Sequence, residues 1–138
     1  MAASPPPPAG RSRIEAWAGR LLSGLAILFL LFDGAIKLVP IQPVTDALQA
    51  LGWPTDPTMA RLLGVILIVA TLIYAYPPSS VFGAVLLTGY LGGAIATHLR
   101  IGSPLFTHTF FGVYLGLAIW GGLWIRSPAL RDVLYGKR

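Results

Sequence analysis

Four stretches of this chain, roughly Leu21 to Val39, Thr58 to Tyr76, Val81 to Leu99 and Pro104 to Ile125, are almost wholly apolar. Each matches the length of about 20 residues that a helix needs to cross the hydrocarbon core of a bilayer. Lipid offers no partners for backbone amides and carbonyls, so runs of this kind satisfy them internally and fold as helices. Charged residues make up 11% of the chain, against about 25% in a soluble domain. A soluble globular fold is therefore excluded, and the expected architecture is all-α, a bundle of four transmembrane helices.

Local signals bound the spans. Residues 1–19 begin with Pro5 to Pro8 among small residues and carry Arg11 and Arg13, a composition that favours an extended, solvated tail. Arg20 and the apolar run after it resemble a signal peptide, but Asp33 to Lys37 stands where a small-residue cleavage site belongs, so an uncleaved anchor is expected. Pro40 and Pro43 end the first span. Val44, Leu48 and Leu51 recur at helical spacing between Pro43 and Gly52, which predicts a short surface helix, a candidate lid, in the first loop. Asp56-Pro57 and Ser127-Pro128 read as N-caps followed by first-turn prolines. Gly89, Gly92, Gly93 and Ala96 in the third span, with Gly112 and Gly116 in the fourth, are expected where helix backbones approach closely. They are also the faces on which a partner helix or a second copy would pack. The domain division is thus 1–19 tail, 20–126 four-helix membrane domain and 127–138 short basic interfacial tail.

Charge placement sets the expected orientation. Of ten Lys and Arg residues, Arg11, Arg13, Arg20, Arg126, Arg131, Lys137 and Arg138 flank the termini, whereas Lys37, Arg61 and Arg100 lie at the opposite helix ends. The positive-inside rule then puts both termini in the cytoplasm. The net charge of +5 records this topology and does not point to nucleic acid. Trp17, Tyr74, Tyr76, Trp120 and Trp124 are expected at the terminal-side interface. The chain has no cysteine, which excludes disulfides, thiolate metal sites and thiol–disulfide chemistry by the chain itself.

The remaining ionisable groups converge on one depth at the loop end. Asp33 and Lys37 share a face at i,i+4 and are placed to pair, as a structural ion pair or as part of a working site. Arg61, taken alone, reads as a residue snorkelling to the headgroups. Tyr90, Ala94, Thr97 and His98 recur at spacings of four and three on one face, followed by Arg100 and His108. A lone histidine at a helix end reads as a hydrogen-bonded interfacial group. Two beside Asp33, Lys37, Arg61, Tyr90 and Arg100 favour a ligand site. Three cations to one carboxylate repel a metal dication and disfavour haem or metal; a quinone headgroup or small oxyanion suits the cluster better.

With Phe32-Asp33-Gly34-Ala35-Ile36-Lys37, Arg61-Leu62-Leu63-Gly64, the stretch Gly89 to Arg100, then Gly102-Ser103-Pro104-Leu105 and His108, the chain resembles the DoxX-like family of small four-helix bacterial membrane proteins, from about Leu21 to Ile125. That family takes its name from a membrane subunit of a thiosulfate:quinone oxidoreductase. More distant relatives serve as redox-associated membrane partners or as assembly and trafficking factors. The resemblance implies a multi-pass protein of the bacterial inner membrane with a redox or assembly partner. No nucleophile with an adjacent base, phosphate-cradling glycine loop or carboxylate pair is present, so independent catalysis is not expected. No inverted repeat or broken midplane helix marks a transporter. Two readings remain: an accessory subunit supporting quinone-linked redox chemistry, and a structural or assembly protein without a cofactor.

Overall fold

The computed structural model describes residues 9–136. Within them the fold is all-α, in the order α1 (Ala9–Leu38), α2 (Gln42–Ala50), α3 (Pro57–Ala75), a single 3₁₀ turn, α4 (Ser80–Arg100), a π-helical turn, α5 (Phe111–Arg126) and α6 (Pro128–Leu134). Four helical segments are long and apolar enough to cross a membrane: Arg13–Leu38, Pro57–Ala75, Pro77–Arg100 and Leu105–Arg126. The first helix begins earlier than the proline-rich start of the chain suggests. Residues 9–19, expected as extended tail, continue α1, because their Ala, Arg and Glu residues are strong helix formers and helix grows cheaply from an existing end. The Pro5 to Pro8 segment lies outside the described residues.

The spanning helices form a ring in which α1 touches α3 and α5, and α4 touches the same two, so α1 and α4 stand diagonally opposite. Buried Ala26, Leu30, Leu67, Ala70, Leu87, Leu91, Ile119 and Leu123 fill its centre. The outside is apolar as well: Leu25, Leu28, Phe82 and Leu117 are each at least 60% exposed. Such a surface is stable only against lipid.

The end of the bundle bearing the termini is closed by a polar network. The Tyr74 hydroxyl donates to the Ile119 carbonyl at 2.7 Å and shares a 2.9 Å hydrogen bond with Ser23 Oγ. Arg126 donates through Nε to Ser23 Oγ at 3.1 Å and through Nη2 to Ser80 Oγ at 3.2 Å, with its guanidinium over the Tyr74 ring. All four spans thereby meet. Tyr74 is fully buried, which corrects its expected interfacial position: the indirect cue was helix-end location, but its face points inward. Trp17 and Tyr76 are exposed.

Close helix approach uses other glycines than the stripe suggests. A Cβ on Gly34 would meet Ile68 at 2.6 Å, one on Gly64 would meet the Gly34 carbonyl at 2.8 Å, and one on Gly83 would collide with the Tyr74 backbone. Gly112 closes against Ile95, but Gly89, Gly92, Gly93 and Gly116 meet nothing within 4 Å. Small residues cluster on α4, yet helical phase decides which of them face a neighbour.

Candidate functional site

The loop end is hollow. A cavity of about 510 Å³ is lined from α1 by Phe29, Leu30, Asp33 and Lys37, from α4 by residues between Gly89 and His98, and from the start of α5 by Phe111, Gly112 and Leu115. Its volume lies inside the range of about 300–1,000 Å³ in which proteins hold small-molecule ligands. Leu48 and Leu51 of the α2 segment, with Trp53, roof it.

Two helix endings shape this region. Leu51 caps α2 and Gly52 follows at φ +77°, with Gly52 N–H donating to Gln49 and Trp53 N–H to Leu48. This is the Schellman arrangement, whose left-handed residue is least strained as glycine. It turns Trp53 back over Leu48, so the ring reaches the cavity. At the end of α4, Gly102 sits at φ +69°, Gly102 N–H donates to Leu99 and Ser103 N–H to His98. The same motif therefore brings Ser103 Oγ to 3.0 Å from His98 Nδ1. Pro104 then opens the π-helical turn Leu105–Thr109, and His108 is carried in it. The His98 and His108 rings stand 5.9 Å apart between centroids. Thr107 Oγ1 lies 2.8 Å from His108 Nδ1. Among the described residues no hydrogen bond engages Nε2 of either ring, leaving both nitrogens to a ligand.

Five of the seven residues singled out from sequence, Asp33, Lys37, Tyr90, His98 and His108, line this one cavity, together with Thr97 and the fully buried Thr109. Asp33 and Lys37 form the expected ion pair along one face of α1, with Lys37 Nζ 2.5 Å from Asp33 Oδ2. The Tyr90 hydroxyl has no hydrogen-bond partner among the described residues. The structure does not bring Arg61 or Arg100 to the cavity. Arg61 donates from Nε to the Leu38 carbonyl at the end of α1. Arg100 donates from Nη2 to the Leu51 carbonyl at 2.7 Å, its guanidinium against Gly52. Both cap a helix C-terminus, where a cation meets the unpaired carbonyls and the negative end of the dipole.

The lining thus holds one cation and one carboxylate, paired with each other, in place of three cations around one carboxylate. The excess positive charge that favoured a small oxyanion and opposed a dication is absent from the cavity wall. Among the described residues no three His, Cys, Asp or Glu side chains group around a common point. What the lining offers is hydrogen bonding without net charge: a phenol, two threonine hydroxyls, two imidazoles and an ammonium, over walls of Phe, Leu, Ile and Trp.

These residues fall within a recognised sequence pattern, since residues 21–122 match the family model described as the DoxX-like family. The chain belongs to the DoxX-like family. No match was found among curated proteins or among solved structures. The matched range of this DoxX-like protein contains the whole cavity lining. Sequence reasoning overlooked Trp53 and Thr109 as lining residues. Trp53 had a usable signal, an aromatic residue directly after the helix-ending Gly52; Thr109 had none, because its burial depends on the π-helical turn.

Proposed function

We propose that this DoxX-like protein is an accessory, non-catalytic membrane subunit that supports quinone-linked redox chemistry by holding a quinone headgroup at the loop end of its bundle. The single observation that carries this reading is the lining of the 510 Å³ cavity, apolar on most sides, with the Tyr90 hydroxyl and the Nε2 atoms of His98 and His108 unengaged at one end among the described residues. A quinone ring requires that combination: flat apolar enclosure and donors for its two carbonyl oxygens. Lys37, Tyr90, His98 and His108 are the residues that would hold it. A bound quinone would supply two-electron chemistry; the chain's own groups bind and orient the ring and exclude water. The basic residues flanking the termini support a cytoplasmic location for both ends, in the inner membrane of a bacterium.

Native mass spectrometry of the protein extracted gently from its own membrane is the first test, and stoichiometric quinone is the expected result. Titration of the lipid-reconstituted protein with ubiquinone or menaquinone should give an affinity that falls about tenfold in Tyr90→Phe or His98→Ala, one hydrogen bond being worth about 1 kcal/mol and more when a partner is left unpaired. A wild-type protein that binds neither quinone sinks the proposal. So do variants that insert normally and bind unchanged.

A second reading, a structural or assembly protein, is favoured by Gly92 and Gly116, which meet nothing inside the chain and lie outside the cavity. It predicts that Gly92→Leu breaks a complex with a partner helix and leaves quinone binding intact. A chain that runs as a monomer before and after the change removes that reading.

A further inference from the structure

The cavity is covered at its loop end and has bare glycines in its α4 wall. Leu48, Leu51 and Trp53 cover its loop end. That cover is fastened twice: Val44 and Leu48 are buried against Ala60, Ile36 and Leu63, and Arg100 holds the Leu51 carbonyl. The α5 side is closed by the edge-to-face contact of Phe29 with Phe111 and by Gly112 against Ile95. On α4 the wall is different. Gly89 and Gly93 line the cavity, both are exposed, and nothing lies within 4 Å of a Cβ built on either. With no side chain there, the wall has a gap.

Position along α4 places that gap in the hydrocarbon. At 1.5 Å per residue, Gly89 stands nine residues or about 14 Å from the start of a helix about 30 Å long, and Gly93 about one turn further toward the loop end. Gly83 abuts Tyr74 of α3, whereas Thr88 and Ile95 meet Trp120 and Gly112 of α5. At about 100° per residue, Gly93 stands about 80° from Gly83 and so on the α3 side of α4, whereas Gly89 stands about 100–120° from Gly83, Thr88 and Ile95 alike, on the face turned away from both neighbours. The α3–α4 pair is tight at the terminal end, where Gly83 meets Tyr74.

We propose that the gap at Gly89 and Gly93 is a lateral portal, through which the cavity takes a ligand already dissolved in the bilayer and lets its apolar tail trail into the lipid. The inference rests on the quinone reading for the headgroup and adds the ligand's form and route: a long-tailed membrane lipophile, not a water-soluble one. The size of the cavity agrees, since it houses a ring and a short length of chain but not a polyisoprenoid tail, which must leave through a wall.

Two measurements on the full chain in lipid nanodiscs test this separately from the headgroup assignment. In the first, Gly89→Leu and Gly93→Leu are compared with wild type for binding of a tail-less benzoquinone and of the same ring carrying a decaprenyl tail. Loss of the tailed ligand by at least about tenfold, with the tail-less ring held as in wild type, is the expected result. Equal weakening of both, or of neither, overturns the portal. The second uses no quinone. The chain lacks cysteine, so Ala94→Cys places one thiol in the cavity wall. A maleimide partitioned into the bilayer should label it fast, a charged water-soluble maleimide slowly, and the two leucine substitutions together should abolish the fast labelling. Fast labelling by the charged reagent, or lipid-side labelling that ignores the leucines, overturns the portal even if quinone binds; the expected labelling with no quinone bound keeps the portal and rejects the headgroup.

Discussion

The two ends of this bundle are built from similar residues and solve opposite problems. At the terminal end, Ser23, Tyr74, Ser80 and Arg126 satisfy one another across all four spans, and Gly83 lets α4 press on the α3 backbone. At the loop end, Tyr90, His98 and His108 stand around a hollow with hydrogen-bonding capacity left over, and Gly89 and Gly93 hold no neighbour. In lipid, polar groups that find one another act as glue, and those left unengaged around a cavity mark a place for something else. A glycine on α4 likewise has two meanings. At 83 it admits a backbone; at 93 it leaves an opening.

Substitutions at matched positions separate the two ends. The largest effect is expected from Gly83→Val, whose branched side chain has no room beside Tyr74; overpacking of this kind costs about 1–3 kcal/mol and more where backbone must move. Thermal unfolding of the purified protein in lipid should show a large loss of stability or failure to insert, and a fully stable variant would remove the close approach from the description. Next comes Tyr74→Phe, which strips the Ile119 carbonyl and Ser23 of a partner at an expected cost of about 1–2 kcal/mol. Tyr90→Phe is its mirror at the loop end: the same atom is removed, but stability should change by less than about 0.5 kcal/mol because the hydroxyl has no partner to abandon. Equal destabilisation by the two tyrosine changes would erase the contrast. Arg61→Gln, which removes an exposed helix-end cap, should cost roughly 0.3–1 kcal/mol, between the two tyrosine changes. Chemical denaturation in mixed micelles resolves a change of that size when wild type and variant are measured side by side.

The four spans, the α2 helix with its Gly52 ending and the caps at Asp56 and Ser127 were all legible, since hydropathy and capping act over a few neighbouring residues. Asp56 indeed accepts from Thr58 N–H and Ser127 from Leu130 N–H. The cavity face of α4 was legible for the same reason, as Tyr90, Ala94, Thr97 and His98 share one helical phase. Depth along the membrane misled at Arg100. It lies level with His98, yet two residues of helix rotate it by about 200°, away from the cavity and toward α2. The spacing held that information, and grouping by depth alone discarded it. The terminal network was beyond reach of the sequence, because Ser23, Tyr74 and Arg126 are distant in the chain and only the packed bundle brings them together.

Arg126 is the last residue of the last spanning helix, and this has a bearing on how the protein is made. Ser23 enters the bilayer with the first helix, and Tyr74 and Ser80 follow with the next two, each emerging from the ribosome before the side chain that joins them. Until α5 arrives, Ser23 and Ser80 lack their guanidinium partner, and Tyr74 lacks the Ile119 carbonyl. Closure of this network thus waits for α5, and a product stopped short of residue 126 carries an open set of polar groups in lipid, a ready mark for membrane quality control.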